Sequence, residues 1–162
     1  MKSRRCLTSP SQALDHVQLC RNSGKRIVFT NGCFDLLHPG HISYLEEAKA
    51  LGDVLIIGLN DDNSIHRLKG KHRPLNTLED RACMLSALKS VDLVIPFSED
   101  TPLNLIKAIA PDVLVKGGDY KPDDIVGATE VYKNGGKVII MPFIEGHSTT
   151  SLIARIRVLE LT

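Results

Sequence analysis

Five short apolar runs punctuate the chain: RIVFTN from Arg26, DVLIIGLN from Asp53, VDLVIPF from Val91, DVLVKG from Asp112 and KVIIMPF from Lys137. Each is nearly continuous in Val, Ile and Leu rather than alternating with polar residues, which marks strands buried on both faces. Strands of that kind belong to a parallel sheet. Between them the period lengthens to that of a helix. Ile42, Leu45, Ala48 and Leu51 approximate one face, and Gly52 is expected to close that helix as its C-terminal cap. Thr77, with Asp80 three residues on, reads as a capping box ahead of Leu78, Ala82, Leu85 and Leu88. Thr101-Pro102 opens another helix running to about Ala110, and SPSQALDHVQLCRNSGK reads as a leading helix ended by Gly24. An aspartate recurs ahead of the strands in GDVLI, VDLVI and PDVLV. Its spacing is too uneven for a repeat, so the chain is read as plain strand-helix alternation.

That alternation predicts an α/β fold, a Rossmann-like doubly wound parallel five-stranded sheet with right-handed crossovers. Residues 1–24 are expected to form a helical segment packed on a single domain of residues 25–162. Ligands of such sheets gather beyond the carboxyl ends of the strands, where strand order reverses. The polar clusters fall there: NGCFDLLHPGH after the first run, NDDN after the second, KGGDYKP after the fourth and EGHSTT after the fifth.

Composition narrows the ligand. At 162 residues, 43% apolar and 24% charged, the chain suits one ordinary globular domain. Its formal charge of +1 against 20 Lys and Arg leaves no dominant basic face, and no apolar stretch reaches bilayer length. A small-molecule ligand is expected, with neither nucleic acid nor membrane as partner. The opening MKSRRCLTSPSQAL is basic but lacks an apolar core before a cleavage site, so a mature cytoplasmic N-terminus is expected. Cys6, Cys20, Cys33 and Cys83 contain no C-x-x-C pair and read as reduced thiols.

His38 and His41 stand three apart around Pro39-Gly40. In a first helical turn they would project to one side, with Pro39 at the position that tolerates a missing N–H and Gly40 allowing close approach of a ligand. Free N–H groups and the positive end of the helix dipole favour a phosphate there. The alternatives are a helix cap with incidental histidines and a zinc site, although no third ligand at sensible spacing accompanies the pair. G-x-G-x-x-G, a Walker A loop and a Ser-His-Asp or Cys-His nucleophile set are all absent. KGGDYKP, residues 116–122, reads either as a tight turn or as a ligand loop. In the second reading Gly117 and Gly118 bring backbone to a ligand and Asp119 accepts from hydroxyls. Ser148, Thr149 and Thr150 combine helix-capping residues with several hydroxyls.

NGCFDLLHPGH resembles the H-x-G-H signature of the cytidylyltransferase-like nucleotidyltransferases. RLKGKHRPLNTLEDR, VDLVIPFSEDTP, DVLVKGGDYKP and EGHSTTSLI together resemble, within them, the adenylyltransferases that convert heptose 1-phosphate and ATP to ADP-heptose. The likeness runs from about Lys25 to Ile156. It implies that His38 and His41 bind the ATP phosphates and stabilise the transition state. It further implies that Thr30, Asn31, Gly32, Cys33 and Phe34 line the nucleotide together with Gly40 and Asn60. Lys69 and Lys71 would form a mobile basic arm over the triphosphate, which otherwise reads as a solvated loop. Arg81 would reach phosphate, or else is a surface arginine. Ser148, Thr149 and Thr150 would touch nucleotide phosphates, while Asp35, Lys116, Gly117, Gly118 and Asp119 would seat the sugar phosphate. Magnesium carried by ATP is the implied cofactor, with no protein metal site, and a homo-oligomer, dimer or tetramer, is expected. Two rivals stand beside this reading: a cytidylyltransferase acting on a small phosphate such as glycerol phosphate, and a non-catalytic nucleotide-binding sensor. Glycerol-phosphate cytidylyltransferases carry an arginine ahead of the last motif, where this chain has Phe143 to His147. In many relatives the domain follows a ribokinase-like heptose kinase; none is read in this chain, so a separate enzyme is expected to supply the sugar phosphate.

Overall fold

Alternate residues of a strand point to opposite faces, so a run that is apolar throughout must be covered twice. The computed structural model, which describes residues 9–142, 146 and 148–159, shows this double cover. Strands β1 (Ile27–Gly32), β2 (Val54–Asn60), β3 (Leu93–Phe97), β4 (Val113–Gly117) and β5 (Lys137–Met141) pair in parallel in the order β3-β2-β1-β4-β5. Val28, Leu55, Ile57 and Val94 join Leu45 and Ala48 of α2 (Pro39–Lys49) and Ala82 and Leu85 of α4 (Leu78–Ser86) in one core. Ile27, Phe29, Ile56 and Leu114 join α1 (Pro10–Asn22), α5 (Leu103–Ile109) and α6 (Ala128–Lys133) in the other. In α1, Ala13, Val17 and Cys20 are the residues committed to that face.

The recurring aspartate has a structural reason. Asp53 Oδ2 accepts from Arg26 N, Asp92 Oδ2 from Leu55 N and Asp112 Oδ2 from Ile27 N, each at 2.7 Å. In return, the backbone N–H of each aspartate donates to Arg26 O, Leu55 O and Ile27 O. Each therefore clasps the start of its own strand to the neighbouring strand. At Ile27 and Leu55 this satisfies buried donors that no hairpin turn can reach in a parallel sheet.

Two local expectations change. Helix α2 ends at Lys49, with Ala50 as a right-handed cap, so Gly52 is not the cap. Its small size serves elsewhere: a Cβ on Gly52 would lie 2.7 Å from Val28 Cγ2 and 2.8 Å from Arg26 O. The pattern also left α3 (Asp62–Lys69) and α6 unread, because each buries only two residues, too few to show a period. Thr77 and Asp80 do cap α4: Asp80 N donates to Thr77 Oγ1 at 3.2 Å and Thr77 Oγ1 donates to Asp80 Oδ2 at 2.8 Å. Cys20 and Cys33 are free thiols, while Cys6 lies outside the described residues. Among the described residues no helix is long and apolar enough to cross a membrane.

Candidate active site

The chain runs outward from β1 through β2 to β3, then returns to β4 on the other side of β1. Loops leaving β1 and β4 diverge at that reversal, and a cavity of about 970 Å³ lies there. It is the right scale for a small-molecule site. Asn31 and Lys116 face each other across the reversal, with Lys116 Nζ donating to Asn31 Oδ1 at 3.4 Å. Burial pushes the Lys116 ammonium pKa down, and the neighbouring Cys33 opposes that push.

His38 holds the N-cap position of α2 in extended backbone (φ −143°, ψ 165°), with Pro39 next in the first turn, and its side chain makes no capping bond. Both imidazoles line the cavity and stack, centroids 3.8 Å apart and planes 23° from parallel. Phe34 packs against His41, ring centroids 5.2 Å apart and planes tilted by 58°. To do so it adopts a left-handed backbone, φ +44°, and a Cβ on Gly32 would lie only 3.0 Å from its ring. His41 Nδ1 is buried with no hydrogen-bond partner among the described residues. Burial, then the charges of His38 and Lys69, push the His41 pKa down to about 4. The imidazole is therefore neutral at pH 7, and an anion beside it would oppose that push.

Of the residues implied for nucleotide, Asn31, Gly32, Cys33, Phe34, Gly40, Asn60, Lys69, Ser148 and Thr149 line this cavity. Thr30 does not. It is fully buried beneath the site and bonds Tyr44 Oη at 2.7 Å, and Tyr44 is the residue that reaches the cavity. Burial raises the Tyr44 pKa to about 12, so the phenol stays protonated. The basic arm divides: Lys69 is the last residue of α3 and lines the cavity, whereas Lys71, past Gly70 at φ +91°, is exposed and outside the lining. Ser148 caps α7 (Thr149–Leu159) by accepting from Ser151 N at 3.0 Å, and Thr150 is exposed and outside the lining. On the substrate side Lys116 and Gly117 line the cavity, but Gly118 and Asp119 do not. Gly118, at φ +124°, commits its N–H to Met141 O on β5, and Tyr120 takes the place in the lining expected for Asp119. Residues 143–145 and 147 lie outside the described residues.

Two charged residues have duties the sequence does not reveal. Arg81 is fully buried and outside the lining. Its guanidinium donates to Cys33 O, Asn60 O and Asn76 O and to Asp62 Oδ1, at 2.7–3.1 Å. It ties together the loops after β1 and β2 and the segment ahead of α4, so the expected phosphate contact becomes an internal anchor. Asp35 lines the cavity yet is 2% exposed. Its carboxylate accepts from Arg73 Nε at 2.6 Å and from Leu75 N and Asn76 N at 2.9 Å. Burial alone would raise its pKa, but the Asn76 and Leu75 N–H groups and Arg73 outweigh that and hold it below the usual carboxylate value. Tyr44 and Arg73 are the functional candidates sequence reading missed. Tyr44 continues the three-residue spacing of His38 and His41, a signal that was available; nothing local separates Arg73 from Lys71 or Arg67.

The cytidylyltransferase-like family matches residues 29–155. The chain is 55% identical over 154 residues to the bifunctional protein HldE of Nitrosococcus oceani and 53% identical over 154 residues to that of Haemophilus influenzae, covering 95% of this chain in both cases. It is 57% identical over 135 residues to HldE of Coxiella burnetii, covering 83% of this chain and 28% of that protein. The chain spans about a third of the length of the curated relatives it matches, 33% and 32% for the first two. Among solved structures, the lipopolysaccharide core biosynthesis protein from Thermoplasma volcanium is similar, with a TM-score of 0.62 and 34% identity over 76% of this chain and all of that one. Matched from β1 into α7 by the family pattern, and built around an imidazole pair at a helix mouth beyond a parallel sheet, the chain belongs to the cytidylyltransferase-like family.

Proposed function

We propose that this protein transfers AMP from ATP to D-glycero-D-manno-heptose 1-phosphate, releasing pyrophosphate and giving ADP-heptose for the lipopolysaccharide inner core. The observation that carries this reading is the stacked His38–His41 pair, opening with Lys69 and Lys116 into one cavity, in a chain 53–57% identical to HldE proteins. The Thermoplasma volcanium neighbour, a lipopolysaccharide core biosynthesis protein, points the same way.

A phosphate oxygen of the sugar phosphate attacks the α-phosphorus of ATP in line, and the bond to pyrophosphate breaks. Phosphomonoesters have a second pKa of about 6, so the nucleophile is already charged near neutral pH and needs no general base. The task left to the protein is orientation and charge stabilisation. His38 and His41 donate to phosphate oxygens as negative charge builds. The N-terminus of α2 adds its dipole, and Lys69 and Lys116 add charge from two sides. Among the described residues no three His, Cys, Asp or Glu side chains converge as a metal cage, and Asp35 is already committed. Lys69, Lys116 and the imidazole pair would hold the triphosphate, and magnesium carried in with it would neutralise part of its charge.

The test is a matrix of ATP, CTP and GTP against heptose 1-phosphates, glycerol phosphate and ethanolamine phosphate, read by pyrophosphate release. Turnover only with ATP and a heptose 1-phosphate is expected. Preference for CTP with a small phosphate, or ATP binding without pyrophosphate release, would replace the proposal with one of its rivals.

A further inference from the structure

Arg73 lies between α3 and α4, in a stretch to which the mechanism above gives no part. Its side chain is 17% exposed and lines the cavity that holds the imidazole pair. Nε donates to Asp35 Oδ2 at 2.6 Å, and the Asp35 side chain is 1% exposed. Arg–carboxylate pairs are frequently bidentate, with a second nitrogen on the second oxygen. Here Asp35 Oδ1 is taken by Leu75 N and Asn76 N, and Asn76 Nδ2 returns a bond to Asp35 O at 2.6 Å. The backbone is thereby fixed on both sides of the pair. Arg73 Nη2 is left buried with no hydrogen-bond partner among the described residues. A guanidinium held by one edge, with donors unused beside a phosphate-handling cavity, is pre-organised for a second anion.

We infer that Arg73 is a phosphate-binding residue of this site and that Asp35 is its positioning partner rather than a ligand contact. This deepens the proposed function and rests on its phosphoryl chemistry. A bare carboxylate would repel the phosphate of an incoming substrate, whereas a carboxylate neutralised by Arg73 presents the guanidinium in a fixed orientation. The phosphate belongs either to the sugar phosphate or to ATP, and the two sources separate kinetically.

The test varies each substrate at saturation of the other in Arg73→Met, Arg73→Lys and Asp35→Asn, with thermal melts to establish folding. Arg73→Met should raise one KM at least tenfold and leave the other within twofold. A rise for the sugar phosphate assigns the contact to the acceptor, and a rise for ATP assigns it to the triphosphate. Arg73→Lys, which keeps the charge without the fork and is the safer variant for folding, should recover only part of the loss. Asp35→Asn should raise the same KM, with little further rise when combined with Arg73→Met; full additivity would overturn the positioning role. Both KM values unchanged in folded Arg73→Met would overturn the phosphate contact. Calorimetric binding of α,β-methylene-ATP, and of heptose 1-phosphate to protein saturated with it, reads the inference without turnover. Failure of the substrate matrix is thereby distinguishable from failure here, and unweakened binding of both ligands by Arg73→Met would overturn it.

Discussion

His41 carries two roles at one position, being packed against Phe34 and His38 while its ring opens on the cavity. Loss of its donor in His41→Ala should cost about 2.7–4 kcal/mol of transition-state stabilisation, the range for removing one oxyanion donor. Wild-type-like pyrophosphate release by that variant would rule the role out. Packing also gives the residue a signature in stability. Its pKa, near 6.5 in the unfolded chain, falls to about 4 in the folded one through burial, then His38 and Lys69. Between those values the unfolded chain binds more protons, so the contribution is fully present above about pH 6.5 and is lost as pH falls toward 4. The urea midpoint should therefore drop from pH 7 to about pH 5 by more in wild type than in His41→Asn; equal drops would contradict the depressed pKa. Arg81 belongs to this scale too. Arg81→Met leaves three carbonyls without their donor and Asp62, 40% exposed, without its partner; stranding buried acceptors of this kind costs about 1–3 kcal/mol. A residue that merely touched nucleotide would show no such loss in urea unfolding.

Among the elements, the parallel strands depend on the aspartate clasps at their starts. Asp112 receives the N–H of Ile27, which is fully buried, whereas Asp53 receives that of Arg26 at an exposed position. Asp112→Ala should thus cost about 1.5–3 kcal/mol, the range for a hydrogen bond to a charged group. Asp53→Ala should cost less, since water can replace its carboxylate. Denaturant unfolding of the two variants checks the ranking, and a reversed order would show that the clasp does not act through buried donors. The short helices contribute differently: α3 buries Ser64 and Ile65 and delivers Lys69 at its last residue to the cavity.

At the scale of the whole molecule, the site exists only where the segments after all five strands converge, so a ligand there binds the folded chain alone. ATP at a hundred times its Kd should therefore stabilise the protein by about 2.7 kcal/mol through mass action. A concentration-dependent rise in the melting temperature measures this, and at the same ATP concentration His41→Ala should show a smaller rise if the imidazole contributes to ground-state binding. No shift with ATP in the wild-type protein would count against the nucleotide site as a whole.

The amino-acid sequence by itself determined the five strands, the fold class and the imidazole pair. Each of these depends on residues close together in the chain: a continuous apolar run, a Pro at a helix start, two histidines three apart. The exchange of roles among Asp35, Arg73 and Arg81 was decided by tertiary structure. Arg73 meets Asp35 across 38 residues and Arg81 meets Cys33 across 48, so no local pattern marks either pair. Thr30 and Gly118 show the same limit. Their neighbours in sequence place them toward strand ends, but whether the hydroxyl or N–H faces a ligand or another element of the fold depends on which partner packing brings within about 3 Å. Period and motif are properties of adjacent residues, whereas the partner of a buried charge is chosen only when distant loops pack and water is excluded.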